Sequence, residues 1–174
     1  RAVLSLYYFV FCILLEAQKT YKGGTIMDKI RIGILYDFDK TLCTTDMQEY
    51  DFIKNLGMTS DAFWGEAAAI TATHEVEKIL AYMFVMIKKC KEKGIPLTEE
   101  YLRSCGEHVE LFEGVLTWFD RINAFGESMG VRIEHYIISS GQTEIIEGSR
   151  IGHEFKAIFA ASFYYDESGL PVWP

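Results

Sequence analysis

The chain has 174 residues, of which 49% are hydrophobic and 24% are charged, so it can form a buried core and is neither disordered nor collagen-like. Its formal net charge of -8, without a long run of Lys and Arg, argues against a protein that binds a nucleic-acid backbone. The cysteines are far apart in sequence, which favours reduced thiols in a cytoplasmic protein over a disulfide framework or a zinc site: Cys12, Cys43, Cys90 and Cys105.

The N-terminal part, residues 1–26, begins with an almost wholly apolar segment over residues 2–15. This segment is shorter than the roughly 20 residues that a membrane-spanning helix needs. It fits a signal-peptide core, the remnant of a membrane helix, or upstream sequence that precedes a natural start at Met27. We expect the third, so the protein would be membrane-anchored or exported only if the leader is genuine.

The first half of the remaining chain predicts one strand followed by several helices. Residues 29–36 form a short Ile-rich apolar run, which is typical of a strand buried on both faces. Residues 46–56 indicate a helix, and Ser60-Asp61 can cap another. The longest helix is predicted over residues 73–93, with one apolar face that comprises Val76, Ile79, Leu80, Met83 and Ile87.

The second half alternates helices with strands. The pattern predicts a helix capped at Thr98, helices over residues 113–129 and 142–148, strands over residues 132–138 and 157–162, and a hairpin over residues 163–173. The order indicates an α/β fold: a Rossmann-like parallel sheet with helices on both faces and a helical cap inserted after the first strand. We assign residues 27–45 and 111–174 to the core and residues 46–110 to the cap.

An acidic motif follows the Ile-rich strand directly. Asp37, Asp39 and Thr41 occupy alternating positions, so they share one side of an extended segment. Ligands of such sheets bind beyond the carboxyl ends of the strands. Two carboxylates this close do not both stay charged without a cation, which favours Mg²⁺. The alternative interpretation is a strand end followed by an acidic turn.

This motif resembles the first motif of the haloacid dehalogenase-like superfamily, and most closely that of its capped, phosphoserine-phosphatase-like phosphatases. The resemblance implies that Asp37 is the nucleophile and Asp39 the general acid and base. It further implies that these two residues hold Mg²⁺, and that Thr41 helps to bind the phosphate. The second Asp favours phosphoryl chemistry, because dehalogenase members generally lack it.

The family's second motif is a Ser or Thr at the end of the next core strand, which Ser139 matches. The resemblance implies that Ser139, Ser140 and Gly141 bind phosphoryl oxygens. The alternative for Ser139 is the N-cap of the following helix. Together the two motifs imply a Mg²⁺-dependent phosphomonoester hydrolase that acts through an aspartyl-phosphate on a small phosphorylated metabolite.

The cap would close over the site and select the substrate. Several of its side chains lie close to the motif in sequence and could face the pocket, although core roles are more usual: Met47, Glu49, Tyr50, Phe52, Phe63 and Trp64. No convincing match is found for the acidic residue with which phosphoserine phosphatases bind their substrate. Phosphoserine itself is therefore not supported as the substrate.

Two parts of the family pattern are missing from the chain: a Lys that steadies the phosphorylated site, and a later acidic motif that completes the metal site. We interpret Lys156 as a surface lysine, and Asp166 and Glu167 as the tip of a hairpin. We therefore expect a fragment of low activity. The outer edge of its first core strand is expected to be exposed, because the missing strand would cover it.

Two rival functions are consistent with parts of the sequence. A metal-dependent glycosyltransferase also uses a D-x-D motif, but it does not predict Lys40-Thr41-Leu42 or the strand that ends at Ser139. A catalytically inactive capped domain used for binding is compatible with the missing motifs, whereas the presence of both Asp37 and Asp39 argues against it. The sequence leaves the substrate and the oligomeric state open.

Overall fold

The structure is a computed structural model that describes the backbone of residues 10–15 and the whole of residues 30–174. The predicted leader, residues 1–26, and the start at Met27 lie outside the described residues, apart from one strand, β1 (Val10–Leu15). Within the described ranges, every helix is too short or too polar to cross a lipid bilayer.

Among the described residues, the main sheet has four strands in the order β1-β2-β3-β4, where β2 is Ile30–Tyr36, β3 is Val131–Gln142 and β4 is Ala157–Ala161. β2, β3 and β4 are parallel to one another. Parallel neighbours require long crossover connections, and helices provide them here. The predicted α/β fold with a Rossmann-like parallel sheet is therefore confirmed.

The outer edge of β2 is paired rather than exposed. β1 runs antiparallel along β2, in a register that extends from Val10 opposite Tyr36 to Leu15 opposite Arg31. The expectation that this edge of β2 is exposed is therefore wrong. The apolar leader supplies a strand whose backbone groups satisfy the N–H and C=O groups of that edge.

The helices fall into two groups. Between β2 and β3 lie a 3-10 helix (Met47–Glu49), α1 (Phe52–Asn55), α2 (Ser60–His74), α3 (Lys78–Lys93), α4 (Glu99–Gly106) and α5 (Val115–Ser128). α6 (Thr143–Gly148) and a 3-10 helix (Gly152–Glu154) connect β3 to β4, and the predicted hairpin consists of β5 (Tyr164–Tyr165) and β6 (Pro171–Trp173).

The predicted helix over residues 73–93 starts too early. α2 continues to His74, and the chain reverses at Glu75, which adopts a left-handed φ of 52°. α3 starts only after Glu77, whose carboxylate accepts hydrogen bonds from the backbone N–H groups of Ile79 and Leu80. A periodic apolar pattern does not reveal such a break, because the pattern resumes on the other side of it.

Other helix ends also differ from the predictions. The helix predicted over residues 46–56 is split into the 3-10 helix and α1. Thr59, rather than Ser60-Asp61, caps α2 by accepting from the N–H of Ala62 at 3.2 Å. The predicted cap at Thr98 is confirmed, since its hydroxyl accepts from the N–H of Tyr101 at 3.1 Å.

A buried polar network joins the sheet to α5. The indole N–H of Trp118 donates to the Tyr36 hydroxyl (2.9 Å), which lies 2.9 Å from Nδ1 of His135. Nε2 of His135 lies 3.0 Å from Oδ1 of Asn123. Because an indole can only donate, we assign the Tyr36 proton to the bond with Nδ1 and the imidazole proton to Nε2. This neutral arrangement satisfies both ring nitrogens, and burial lowers the pKa of His135.

We expect this network to weaken the fold in acid. Below about pH 6.5 an unfolded histidine binds a proton. The folded His135 resists protonation, so the free energy of unfolding falls as the pH falls. Urea unfolding at pH 8 and pH 5 measures the free energy of unfolding of the wild type and of His135→Gln. The wild type should be the more stable protein at pH 8, and the difference in stability should be smaller at pH 5. A difference that is the same at both pH values would contradict this assignment.

α4 packs against α6 through two glycines. A Cβ atom added at Gly148 would lie 1.9 Å from the carbonyl oxygen of Arg103, and one added at Gly106 would lie 2.2 Å from that of Ile145. Both obstacles are backbone atoms, which cannot move aside as the end of a side chain can. The close approach of these two helices therefore depends on glycine.

The Gly148→Ala variant should accordingly be destabilised by about 1–3 kcal/mol, because the methyl group forces α4 and α6 apart. Gly65→Ala is the matched control. Gly65 lies inside α2 with open space around its Cα, so alanine there should raise stability by about 0.5–1 kcal/mol. Thermal or urea unfolding measures both effects. Equal stabilities of the two variants would show that the helices separate at little cost.

Candidate active site

A tight turn after β2 holds the first motif. The carbonyl oxygen of Phe38 accepts from the N–H groups of Leu42 (2.9 Å) and Cys43 (3.2 Å), and the Phe38 ring is fully buried. Lys40 takes a left-handed φ of 57° within this turn. The buried ring therefore anchors the segment between the two acidic residues.

Asp37 is exposed, and its carboxylate is oriented by local donors. Its Oδ1 accepts from the N–H of Phe38 at 2.8 Å, and its Oδ2 accepts from the Thr41 hydroxyl at 3.2 Å. Thr41, the last residue of the motif, thus contacts Asp37, the expected nucleophile, directly. In the structure Thr41 orients Asp37, and its role in binding phosphate stays a prediction.

Asp39 lies deeper than Asp37, and its pKa is raised. The pKa of Asp39 is raised to about 7, mainly by burial and to a smaller extent by the carboxylates of Asp46 and Asp37, while the N–H of Met47, which donates to Oδ1 at 2.9 Å, opposes the shift. Near neutral pH a carboxyl with such a pKa is present in both its acid and its base form. The arrangement can therefore donate and accept a proton.

Two other side chains beside the motif have structural contacts. The Lys40 ammonium pairs with Asp46 at 2.6 Å, with Lys40 largely exposed. The thiol of Cys43 is buried and donates to the carbonyl oxygen of Thr45 at 3.1 Å. Burial raises the pKa of Cys43 to about 12, so this residue is not a nucleophile at neutral pH.

The second predicted motif lies in the last residues of β3, next to the end of β2. In the parallel register Tyr36 of β2 is opposite Ile137 of β3. Asp37, the next residue after Tyr36, and Ser139, two residues after Ile137, therefore lie at the same edge of the sheet. The Ser139 hydroxyl accepts from the N–H of Gly141 at 3.0 Å. The cap position of α6 is Gln142, which makes no side-chain cap bond. The alternative interpretation of Ser139 as the N-cap of this helix is therefore wrong.

Met47 connects the two motifs, which the sequence did not indicate. Its N–H donates to Asp39, and its fully buried sulfur accepts from the N–H of Gln142 at 3.2 Å. A Cβ atom at Gly141 would lie 2.0 Å from Cε of Met47. Glycine thus lets the Met47 side chain lie against the end of β3 while its backbone bonds to Asp39.

A cavity of about 530 Å³ opens beside the two motifs. Its lining combines Asp39 and Ser140 with side chains from α2, α3 and the segment before α1: Asp46, Gln48, Trp64, Ala67, Ala68, Thr71, Ala72, Lys78, Ile79 and Tyr82. The Tyr82 hydroxyl donates to the carbonyl oxygen of Ser140 at 2.6 Å, which joins α3 to the end of β3. The inserted helices therefore form the wall of a pocket that reaches the acidic motif.

Among the aromatic and polar residues expected to face the pocket, only Trp64 lines it. Met47, Phe52 and Phe63 are completely buried in the core. Glu49 accepts from the Trp64 indole at 3.0 Å, and the buried Tyr50 bonds to the Thr44 hydroxyl at 2.8 Å. Gln48 and Tyr82, which do line the cavity, carry no signal in the sequence that separates them from core residues.

Lys156 and Asp166, which the sequence analysis placed outside the site, bond to other residues of the chain. Lys156 donates to Glu134 at 2.7 Å, and its ammonium lies 5.9 Å from the centre of the Tyr136 ring. Asp166 accepts from the N–H groups of Ser168 (2.8 Å) and Leu170 (3.1 Å), which closes the predicted turn. Both contacts agree with the interpretation of these residues as structural.

The motif offers hard oxygen donors to a metal ion. Within the described part of the chain, no three His, Cys, Asp or Glu side chains are grouped as a metal site. Mg²⁺, however, commonly uses one or two carboxylates and completes its shell with water and substrate phosphate. The exposed carboxylate of Asp37 and the neighbouring charges that raise the pKa of Asp39 match this requirement. The residues present therefore fit Mg²⁺.

Comparisons with known proteins support the fold. No protein-family model matches the chain. It is 27% identical to an uncharacterized protein from Borreliella burgdorferi over 142 residues, which are 76% of this chain and 50% of that protein. The chain thus spans about half the length of this curated relative.

A solved structure of low sequence identity shares the architecture. The structure of a HAD family hydrolase from Salmonella enterica serovar Typhi matches with a TM-score of 0.51 and 15% identity, over 79% of this chain and 42% of that one. A phosphoserine phosphohydrolase-like protein from Francisella tularensis matches with a TM-score of 0.49 and 17% identity, over 79% and 61%. The first match shows that this chain shares the α/β fold of that hydrolase.

Proposed function

We propose that the chain carries the catalytic motifs of a Mg²⁺-dependent phosphomonoester hydrolase whose substrate is a small phosphorylated metabolite. The observation that carries the proposal is the pair formed by Asp37 and Asp39. One carboxylate is exposed and oriented by Thr41, and the other is half-buried with a pKa of about 7. Two carboxyl groups with such different environments suit two different roles, a nucleophile and a proton carrier.

The first step transfers the phosphoryl group to the protein. An oxygen of Asp37 attacks phosphorus, and the bond from phosphorus to the ester oxygen breaks. Asp39 in its acid form gives its proton to the departing alkoxide, which leaves as the alcohol. The products are an aspartyl-phosphate at Asp37 and a carboxylate at Asp39.

The second step regenerates the site. A water molecule attacks phosphorus, the bond between phosphorus and the Asp37 oxygen breaks, and Asp39 takes the proton of the water. Inorganic phosphate leaves, and both carboxyl groups return to their starting forms. Asp39 therefore serves as acid in one step and as base in the next.

The remaining groups would position the phosphate. Asp37 through its carboxylate and Asp39 through its backbone carbonyl would hold Mg²⁺, which when bound supplies positive charge that offsets the repulsion between nucleophile and phosphate. We assign to Thr41, Ser139, Ser140 and Gly141 the binding of phosphoryl oxygens through hydroxyl and backbone N–H groups.

The proposal is tested by the hydrolysis of phosphate esters with and without Mg²⁺. The chain should slowly release phosphate from a chromogenic ester such as para-nitrophenyl phosphate, and EDTA should stop the reaction. Hydrolysis of a nucleotide sugar without turnover of phosphate esters would favour the glycosyltransferase. Binding of phosphate esters without turnover by a full-length form of the protein would favour the inactive binding domain.

A further inference from the structure

The backbone of residues 139–141 departs from the regular sheet at the end of β3. Ile138 is opposite Phe159 of β4. Gln142 is opposite Ala161, so four positions along β3 cover the same length as two positions along β4. The pairing of β3 with β2 ends earlier still. The neighbouring strands therefore leave residues 139–141 without a regular ladder, and extra residues of this kind commonly re-aim groups beside active sites.

The hydroxyl of Tyr82 holds this segment from α3. It donates to the carbonyl oxygen of Ser140 at 2.6 Å and accepts from Nε2 of Gln142 at 3.2 Å. Because a carbonyl oxygen can only accept, the Tyr82 proton lies on the bond to Ser140. The buried Tyr82 ring packs edge-on against Trp64, with 5.7 Å between the ring centres, which restricts the position of the hydroxyl. Burial also raises the pKa of Tyr82, so the hydroxyl keeps its proton near neutral pH.

This bond fixes the orientation of the peptide between Ser140 and Gly141. In a trans peptide the C=O and the N–H groups point in opposite directions, so the Gly141 N–H points away from Tyr82. It donates to the Ser139 hydroxyl oxygen at 3.0 Å. The proton of that hydroxyl has no acceptor within the described part of the chain. It is therefore available to a phosphoryl oxygen at the edge of the sheet that carries Asp37.

We propose that Tyr82 is a positioning residue for phosphate binding. Its hydroxyl holds the peptide between Ser140 and Gly141 in the orientation from which the Gly141 N–H directs the Ser139 proton toward the substrate phosphate. Tyr82 belongs to α3 and Ser139 to β3, so phosphate binding depends on the packing of an inserted helix against the end of the sheet. This inference rests on the proposed phosphatase function.

The test measures the binding of orthophosphate by calorimetry, with the full chain and Mg²⁺. Tyr82→Phe keeps the ring and removes only the hydroxyl. Its dissociation constant for orthophosphate should rise about 10-fold, which is the effect of one hydrogen bond. Ser139→Ala should weaken binding by at least as much. The affinity for Mg²⁺ alone should be unchanged in both variants, because neither residue is among the proposed metal ligands.

The double variant shows whether Tyr82 acts through Ser139. When Ser139 is already alanine, the further change Tyr82→Phe should have no additional effect on orthophosphate binding, because the hydroxyl that Tyr82 positions is gone. Two independent contributions would instead multiply to a loss of about 100-fold in the double variant. That result would overturn the proposal.

Val85→Ala is the matched control for a purely structural role of Tyr82. Val85 is fully buried, lies on α3 three residues after Tyr82, and does not line the cavity. Both variants should lower the melting temperature, because each weakens the packing of α3. Only Tyr82→Phe should also weaken orthophosphate binding. Equal affinities of the two variants for orthophosphate would show that the role of Tyr82 is structural.

Hydrolysis of para-nitrophenyl phosphate separates this inference from the proposed function. Loss of orthophosphate affinity in Tyr82→Phe and Ser139→Ala, in a chain that hydrolyses no ester, would reject the phosphatase and keep the positioning role. Hydrolysis with the same kcat and KM in the wild type and in Tyr82→Phe would keep the phosphatase and reject the role of Tyr82. A wild type that binds no orthophosphate at millimolar concentration would overturn the inference as well.

Discussion

The Asp37→Asn variant is expected to lose phosphatase activity by about 10⁴-fold or more, which is the scale found when a catalytic nucleophile is removed. An amide is a poor nucleophile, and it cannot form the aspartyl-phosphate that we propose. The substitution keeps the size of the side chain, and its Oδ1 can still accept from the N–H of Phe38. The loss therefore reports on chemistry rather than on folding.

Steady-state hydrolysis of para-nitrophenyl phosphate measures this loss. Thermal unfolding shows whether the variant keeps the stability of the wild type, which it should because Asp37 is exposed. The matched control is Asp61→Asn, an exposed carboxylate in the first turn of α2 that does not line the cavity. Retention of more than a few per cent of the activity in Asp37→Asn would reject Asp37 as the nucleophile.

The Asp39→Asn variant should lose about 10²- to 10⁴-fold in turnover, the usual contribution of general acid–base catalysis. The loss in the first step should depend on the leaving group. An alkyl phosphate leaves as a strongly basic alkoxide and needs the proton, whereas para-nitrophenolate leaves readily without it. With para-nitrophenyl phosphate the variant should therefore release one equivalent of nitrophenolate in a burst and then stall, because no base activates the water.

The pH dependence of turnover by the wild type follows from the titration of Asp39. Because the pKa of Asp39 is raised to about 7, its acid form is lost as the pH rises through that value. Turnover of alkyl phosphates should fall above about pH 7, and the fall should be absent from Asp39→Asn. Equal losses in this variant for alkyl and nitrophenyl esters, with no burst, would show that Asp39 has a structural role instead.

The architecture was largely predictable because the main strands and helices carry strong periodic signals. The structure pairs two predicted strands in parallel, the Ile-rich run before Asp37 and the strand that contains Ser139. Their apolar character and the helices between them indicated this pairing. The break at Glu75 was not predictable from periodicity, since it depends on one left-handed residue and a cap by Glu77. The pairing of β1 with β2 depends on contacts between segments that no local pattern encodes.

The position of the acidic motif at the end of a core strand was predictable, and the lining of the cavity was not. Asp37 and Asp39 stand out because acidic residues directly after a buried strand have few structural reasons to be there. Met47 and Gln48 look like any residues of a short helix, and only the fold shows that one connects two strand ends and the other lines a cavity. Tyr82 lies on the buried face of α3, where a core role and a pocket role give the same pattern.

The proposed mechanism requires that Asp37 becomes phosphorylated during turnover, and this can be measured directly. The chain is mixed with substrate and Mg²⁺, quenched in acid within milliseconds, digested, and examined by mass spectrometry. If Asp37 is the nucleophile, the peptide containing Asp37 will carry one acid-stable phosphoryl group on that side chain, at a level that rises in Asp39→Asn and vanishes in Asp37→Asn. Phosphate release without any phosphorylated Asp37 at any quench time would contradict the proposed mechanism.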